Sequence, residues 1–194
     1  MEPSRTAQPN RMTPPGHLPM TRRCFFATAS LGVAASAAAG EAEPSTIADN
    51  LPKAAVLSDG DAKTYLLEFA AGQEVMHGLL AFARQHKLVA GHLTGIGAIS
   101  HAVIGYFDPQ TKSYLRKDEP GQAEVLSLTG NLALNDNEPF FHVHVALGLR
   151  DGSARGGHLF EATVRPTVEV VLTTYAKPLR RKIDPETGLP LLDP

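Results

Sequence analysis

Phe141–Leu159, FHVHVALGLRDGSARGGHL, alternates strictly through its first half. Phe141, Val143, Val145, Leu147 and Leu149 fall on one face of an extended strand, and His142, His144 and Ala146 on the other. The pattern predicts a strand with an apolar side and an imidazole side. Residues two apart on it are separated by about 6.8 Å along the backbone. Both imidazoles can therefore converge on one ion held at about 2.0–2.1 Å from each nitrogen. Asp151-Gly152 is a turn signal, and the returning segment carries His158 directly after Gly156-Gly157.

The parity of that return decides whether His158 joins the pair. A two-residue loop at Asp151-Gly152 pairs Arg150 with Ser153 and sets His158 opposite Val145, on the apolar face. A three-residue loop with a left-handed glycine, or a bulge at the double glycine, moves His158 opposite Ala146, diagonal to His144 and on the imidazole face. The expectation is such a hairpin, with His142, His144 and His158 as candidate metal ligands.

At the other end of the chain, Arg22 and Arg23 precede an uncharged run from Cys24 to Ala39 that closes on small residues. This is the layout of a secretory leader with an AxA-type site at Ala37–Ala39, and TRRCFF resembles a twin-arginine export signal. Residues 1–39 are accordingly read as a signal peptide, with Met12 or Met20 as alternative starts. The run is too short and alanine-rich to span about 30 Å of hydrocarbon, so no membrane anchor is expected after cleavage. The expected location is the periplasm or the exterior.

Cleavage changes the chemistry available. It removes four of the 18 Lys and Arg and one of the 20 acids, leaving an excess of five negative charges, and it removes Cys24, the only cysteine. Neither a disulfide nor a thiolate ligand is then available. A bound metal must be held by histidine or carboxylate. The roughly 155 residues that remain suit one domain with a single core.

Residues 40–62, polar and carrying Pro44 and Pro52, read as a linker or N-terminal arm, and residues 63–194 as the domain. Lys63–Phe69 is strand-like. Residues 73–87 show helical spacing at Val75, Leu79, Phe82 and Ala83, interrupted by Gly78. From His92 onward short strands are predicted at about 91–98, 100–107, 112–117, 123–134, 139–149, 154–164 and 168–176, separated by Gly, Pro and Asp turn signals. The fold class expected is α+β, a largely antiparallel sheet with one main helix packed on it. The histidine-bearing face is expected to meet another subunit.

Several runs, in this order, resemble the plants-and-prokaryotes-conserved (PPC) domain: HLTGIGAISHAVIGYFDPQTKSY, AEVLSLTGNLAL, FHVHVALGLRDGSARGGHL, RPTVEVVLTT and LRRKIDPETGL. The resemblance runs from about Lys63 to Leu191. It implies an α+β fold assembled as a homotrimer and, in bacterial members, a histidine cluster of the kind at His142, His144 and His158 that holds a metal such as zinc. Plant relatives place this domain after AT-hook segments in DNA-binding proteins. This chain has no RGRP-type hook, and its mature charge is negative. Nucleic-acid affinity draws on Lys and Arg neutralising phosphates, so nucleic acid is not an expected partner. Arg180, Arg181 and Lys182 are read as a solvated surface.

Zinc is the first choice of ion, because imidazole suits it and no soft ligand is present. His92 is a further candidate, as a hydrogen-bond partner of a ligand imidazole, a general base or a ligand. Glu124, Glu161 and Glu169 are read as ion-pair partners of Arg155 or Arg165. No GxSxG and no phosphate-cradling glycine loop occurs, so classes built on them are unsupported. Three readings remain. The first is an exported trimeric module binding a metal together with a small ligand. The second is a metal-dependent hydrolase or lyase using the open coordination position, its catalytic residues unassigned. The third is a DNA-binding protein by analogy with the plant relatives.

Overall fold

The computed structural model describes residues 50–194; the signal peptide expected at residues 1–39 lies outside them. The alternation along the histidine segment becomes β5 (Glu138–Gly148), with Phe141, Val143, Val145 and Leu147 buried. The other strands are β1 (Lys53–Asp59), β2 (Ala62–Ala70), β3 (Gly91–Asp108), β4 (Ser113–Asn135), β6 (Ala154–Tyr175), β7 (Arg180–Ile183) and β8 (Pro190–Asp193). Among the described residues a single helix, α1 (Val75–Gln85), follows β2. The sheet runs β1-β2-β6-β3-β4-β7-β8, and β5 pairs with both β4 and β6. Since β6 pairs β3 and β3 pairs β4, the strands β3, β4, β5 and β6 form a closed circuit. Every pairing is antiparallel except the single β4–β7 contact at Leu134 and Arg180.

The inward faces of that circuit supply the core, with Leu93, Ile99, Leu128, Leu147, Leu159 and Leu172 almost fully buried. Each such side chain contributes about 1.5–3 kcal/mol on leaving water. Helix α1 adds Val75, Leu79, Phe82 and Ala83, and Phe82 meets Tyr65 of β2 edge-on at 5.1 Å. Its first turn is capped by Glu74, whose carboxylate accepts from Met76 N at 3.1 Å and His77 N at 2.6 Å. The same carboxylate accepts from Ala162 N at 2.9 Å and so ties the helix to β6. Gly78 is explained by proximity: a Cβ there would lie 2.4 Å from the Phe69 ring and 2.5 Å from the Asn50 carbonyl.

The expected fold class is corrected. One 11-residue helix stands against eight strands among the described residues, so the chain is a predominantly antiparallel β fold and not an α+β sheet organised by a main helix. The strands are longer than the sequence suggests, because glycines and prolines that read as turns are absorbed without ending a strand. β3 continues through bulges near Ile96 and Ser100. β4 passes through the DEPGQ segment, and β6 passes through the cis Arg165–Pro166 bond. The sheet also begins earlier, since residues 53–59 of the presumed arm pair with β2 as an exposed edge strand. No helix among the described residues is long and apolar enough to cross a membrane.

Candidate metal centre

The β5–β6 hairpin sets the geometry. Gly152 N donates to Leu149 O at 2.9 Å, and Leu149 N donates to Ser153 O at 2.8 Å. The loop is therefore three residues, Arg150 to Gly152, closed by Gly152 in the left-handed region at φ 81°. Asp151 fixes it, its carboxylate accepting from Ser153 N at 3.0 Å and Ser153 Oγ at 2.6 Å. The loop starts one residue earlier than expected. His158 consequently faces His144 directly, and Ala146 faces Gly156.

All three imidazoles emerge on one side. His142, His144 and His158 offer ligand nitrogens that lie within 4.8 Å of one another, with ring centroids 5.0, 5.1 and 5.6 Å apart. His142 Nε2 and His144 Nε2 are separated by 3.1 Å. Two nitrogens on a tetrahedral zinc stand about 3.3 Å apart, given bonds of about 2.05 Å, so this pair is already close to ligating geometry.

The electrostatics favour the ligating form. Burial, reinforced by His142, His144, Arg116 and Arg181, pushes His158 down from its ordinary value to about 4. Burial, then His144 and Arg181, lowers His142 as well. Both rings are held neutral, as metal ligation requires. Nδ1 of His158 is buried with no hydrogen-bond partner among the described residues. The donor set thus fits a borderline cation such as zinc.

Aromatic rings wall the cluster. Tyr114 and Phe160 pack on the His158 ring at 4.8 and 4.7 Å. Gly105, opposite His158 on β3, leaves them room: a Cβ there would sit 2.5 Å from Phe160 and 3.1 Å from Tyr114. Gly157 is equally constrained, its Cβ position lying 2.5 Å from the Gly105 carbonyl oxygen. The double glycine therefore lets β6 enter the circuit beside β3 and present His158.

Two arginines border the same surface. Arg116 stacks on Phe160, Cζ to ring centroid 3.9 Å. Arg181 lies 4.9 Å from the Phe140 centroid, donates from Nη1 to Pro190 O at 2.8 Å and from Nη2 to Asn131 Oδ1. Its Nε is buried and has no partner among the described residues, and burial lowers its pKa. The reading of the Arg-Arg-Lys run as solvated surface suits exposed Arg180 and Lys182 but not Arg181.

His92 is not brought into the cluster. On β3 it pairs with Asn131, which pairs with His142, placing it two strands and about 10 Å away. Its Nδ1 lies 2.8 Å from Tyr175 Oη. The glutamate expectation is also revised: Arg155 pairs at 2.6 Å with Glu119, a buried carboxylate that Lys117 approaches at 3.1 Å. Tyr114, Arg116, Phe160 and Arg181 escaped the sequence reading. Gly105, a glycine amid the apolar run AVIGYF, was the one local hint of the first three.

A metal-containing protein from Archaeoglobus fulgidus superposes with a TM-score of 0.64 at 34% identity, over 74% of this chain and 99% of its own. A candidate DNA-binding protein from Bacteroides thetaiotaomicron superposes with a TM-score of 0.67 at 30% identity, over 72% of this chain and 96% of its own. The bifunctional protein GlmU of a Synechococcus strain is 33% identical over 156 residues, 79% of this chain. The chain spans only 22% of that relative's length. The model of the Plants and Prokaryotes Conserved (PCC) domain matches residues 57–176, a stretch that begins in β1, ends just past β6 and contains all three clustered histidines. With that match covering more than half of the sequence, the chain belongs to the Plants and Prokaryotes Conserved domain family.

Proposed function

We propose that this chain is an exported, trimeric member of the family that binds a divalent metal, zinc first, through His142, His144 and His158, with a small ligand completing the coordination. The observation that carries the reading is the convergence of three imidazoles, two of them held neutral by burial, on one side of the β5–β6 hairpin. The metal content named for the Archaeoglobus relative supports it. Three protein ligands leave a position for water or an exogenous donor.

Export rests on the leader pattern of residues 1–39. Trimerisation is supported by the apolar side chains left bare on the sheet, where Ile96, Leu126 and Val171 stay exposed beside one another around a shallow depression. The test of the metal reading is titration of the metal-free protein with Co(II), whose tetrahedral complexes absorb strongly in the visible. One cobalt per chain, abolished by His158→Ala, is expected. A native-like chain that takes up no cobalt contradicts it.

A further inference from the structure

A divalent ion on three imidazole ligands would bring two positive charges to a surface that already carries two guanidinium groups. Besides the neighbouring imidazoles, the cations that act on His158 are Arg116 and Arg181, and Arg181 acts on His142 as well. No carboxylate belongs to the cluster among the described residues. Like charges gathered beside one ion, Arg181 half-buried and Arg116 exposed at the rim, favour an anion there. The exposed Arg116 side chain makes no hydrogen bond or ion pair with the described residues and stacks on Phe160. Arg181 has an unused, buried Nε–H.

Both guanidinium groups stack on rings that line one cavity, though neither is part of its lining. A cleft of about 630 Å³ opens between α1 and strands β5 and β6, lined by His158, Phe140, Phe160, Met76 and Leu80 among others. Phe160 carries Arg116 on its ring, Phe140 carries Arg181, and His158 belongs to the same wall. Glu74, which also lines the cleft, is committed to the N–H groups of Met76, His77 and Ala162. Arg84 on the lining pairs with Glu138 at 3.3 Å, and Glu161 adds a carboxylate to the same lining, so the anionic end of a ligand belongs at the arginines and not within the cleft.

We infer that the ligand of this centre is a small organic acid: its carboxylate binds the metal and the guanidinium groups of Arg116 and Arg181, and its apolar body lies in the cleft against Phe140, Phe160 and Leu80. The inference rests on the metal reading. A carboxylate answers the planar fork of arginine and the hard open position of the ion together, and the aromatic lining rewards an apolar body.

The test uses Co(II)-loaded full-length protein, with phenylacetate, its neutral isostere phenylacetamide, and acetate as probes read through the visible cobalt bands. Phenylacetate is expected to bind at least tenfold more tightly than either of the others. Arg116→Gln should weaken it at least tenfold while leaving cobalt stoichiometry and the affinity for imidazole, a neutral metal ligand, unchanged. Equal binding of acid and amide, or an unchanged phenylacetate affinity in both Arg116→Gln and Arg181→Lys, overturns the proposal while the metal reading stands. A folded chain without cobalt removes the metal reading and this inference with it.

Discussion

His144 on β5 and His158 on β6 face each other across the hairpin, their rings 5.6 Å apart and nearly perpendicular at 89°. The shared face follows from the three-residue loop and the direct pairing from its start at Arg150, because a one-residue change in an antiparallel pair moves a side chain to the opposite face. Deleting Ala154 from the return strand keeps the Leu149–Ser153 closure but sets His158 opposite Val145, on the side of Val143 and Val145. Cobalt uptake should then be lost while far-UV circular dichroism keeps its strand signature. Retained uptake with intact stoichiometry would show that the cluster does not depend on the hairpin register.

A second prediction concerns pH. His158 titrates at about 4 in the folded metal-free protein and near 6.5 once unfolded. Between these values the unfolded chain binds the extra proton, so stability rises with pH. The contribution is complete above about pH 6.5 and is lost as pH falls toward 4. His142, shifted in the same direction, adds to the slope. Urea midpoints of metal-free protein should fall across this window, and His158→Phe should flatten the fall. A pH-independent midpoint would contradict the burial assigned to these rings.

Metal binding should be visible as stability. A ligand that binds only the native state at 100 times its Kd contributes about 2.7 kcal/mol. For a domain of this size that raises Tm by roughly 5–10 °C. Zinc should produce the shift, EDTA should reverse it, and the triple variant His142→Ala, His144→Ala, His158→Ala should show neither.

Gly78→Ala separates helix propensity from packing. Propensity alone favours alanine by about 1 kcal/mol. The added methyl, however, would meet the Phe69 ring at 2.4 Å and the Asn50 carbonyl at 2.5 Å, and overpacking costs typically about 1–3 kcal/mol. The packing term is the larger, so the urea midpoint should fall. A raised midpoint would show that α1 can retreat from β2.

The sequence made the hairpin legible because period-two alternation and loop parity are local properties. Whether Arg150 or Ser153 joins the loop is not set by the alternation. It is settled by Asp151 holding Ser153 at the base of the return strand. The long strands were hidden because Ile99, Pro120 and Pro166 fell at the expected breaks, whereas β3, β4 and β6 run on through them. Helix α1 was legible from its spacing, but its small share of the fold was not, since ring closure through β5 is a tertiary event. Arg181 looked like surface because its partners, Asn131, Phe140 and Pro190, lie far off in sequence or beyond the Arg-Arg-Lys run. The three histidines needed only the hairpin, and the anionic character of a ligand beside them needed the whole sheet.

The most direct test of the account is elemental analysis of the purified protein beside its His142→Ala, His144→Ala, His158→Ala variant, both sized in solution. The account predicts about one zinc or similar divalent ion per chain in the wild-type trimer and none in an equally trimeric variant. A wild-type trimer that is metal-free and takes up no divalent ion on incubation, or a variant that keeps the full metal content, would contradict it.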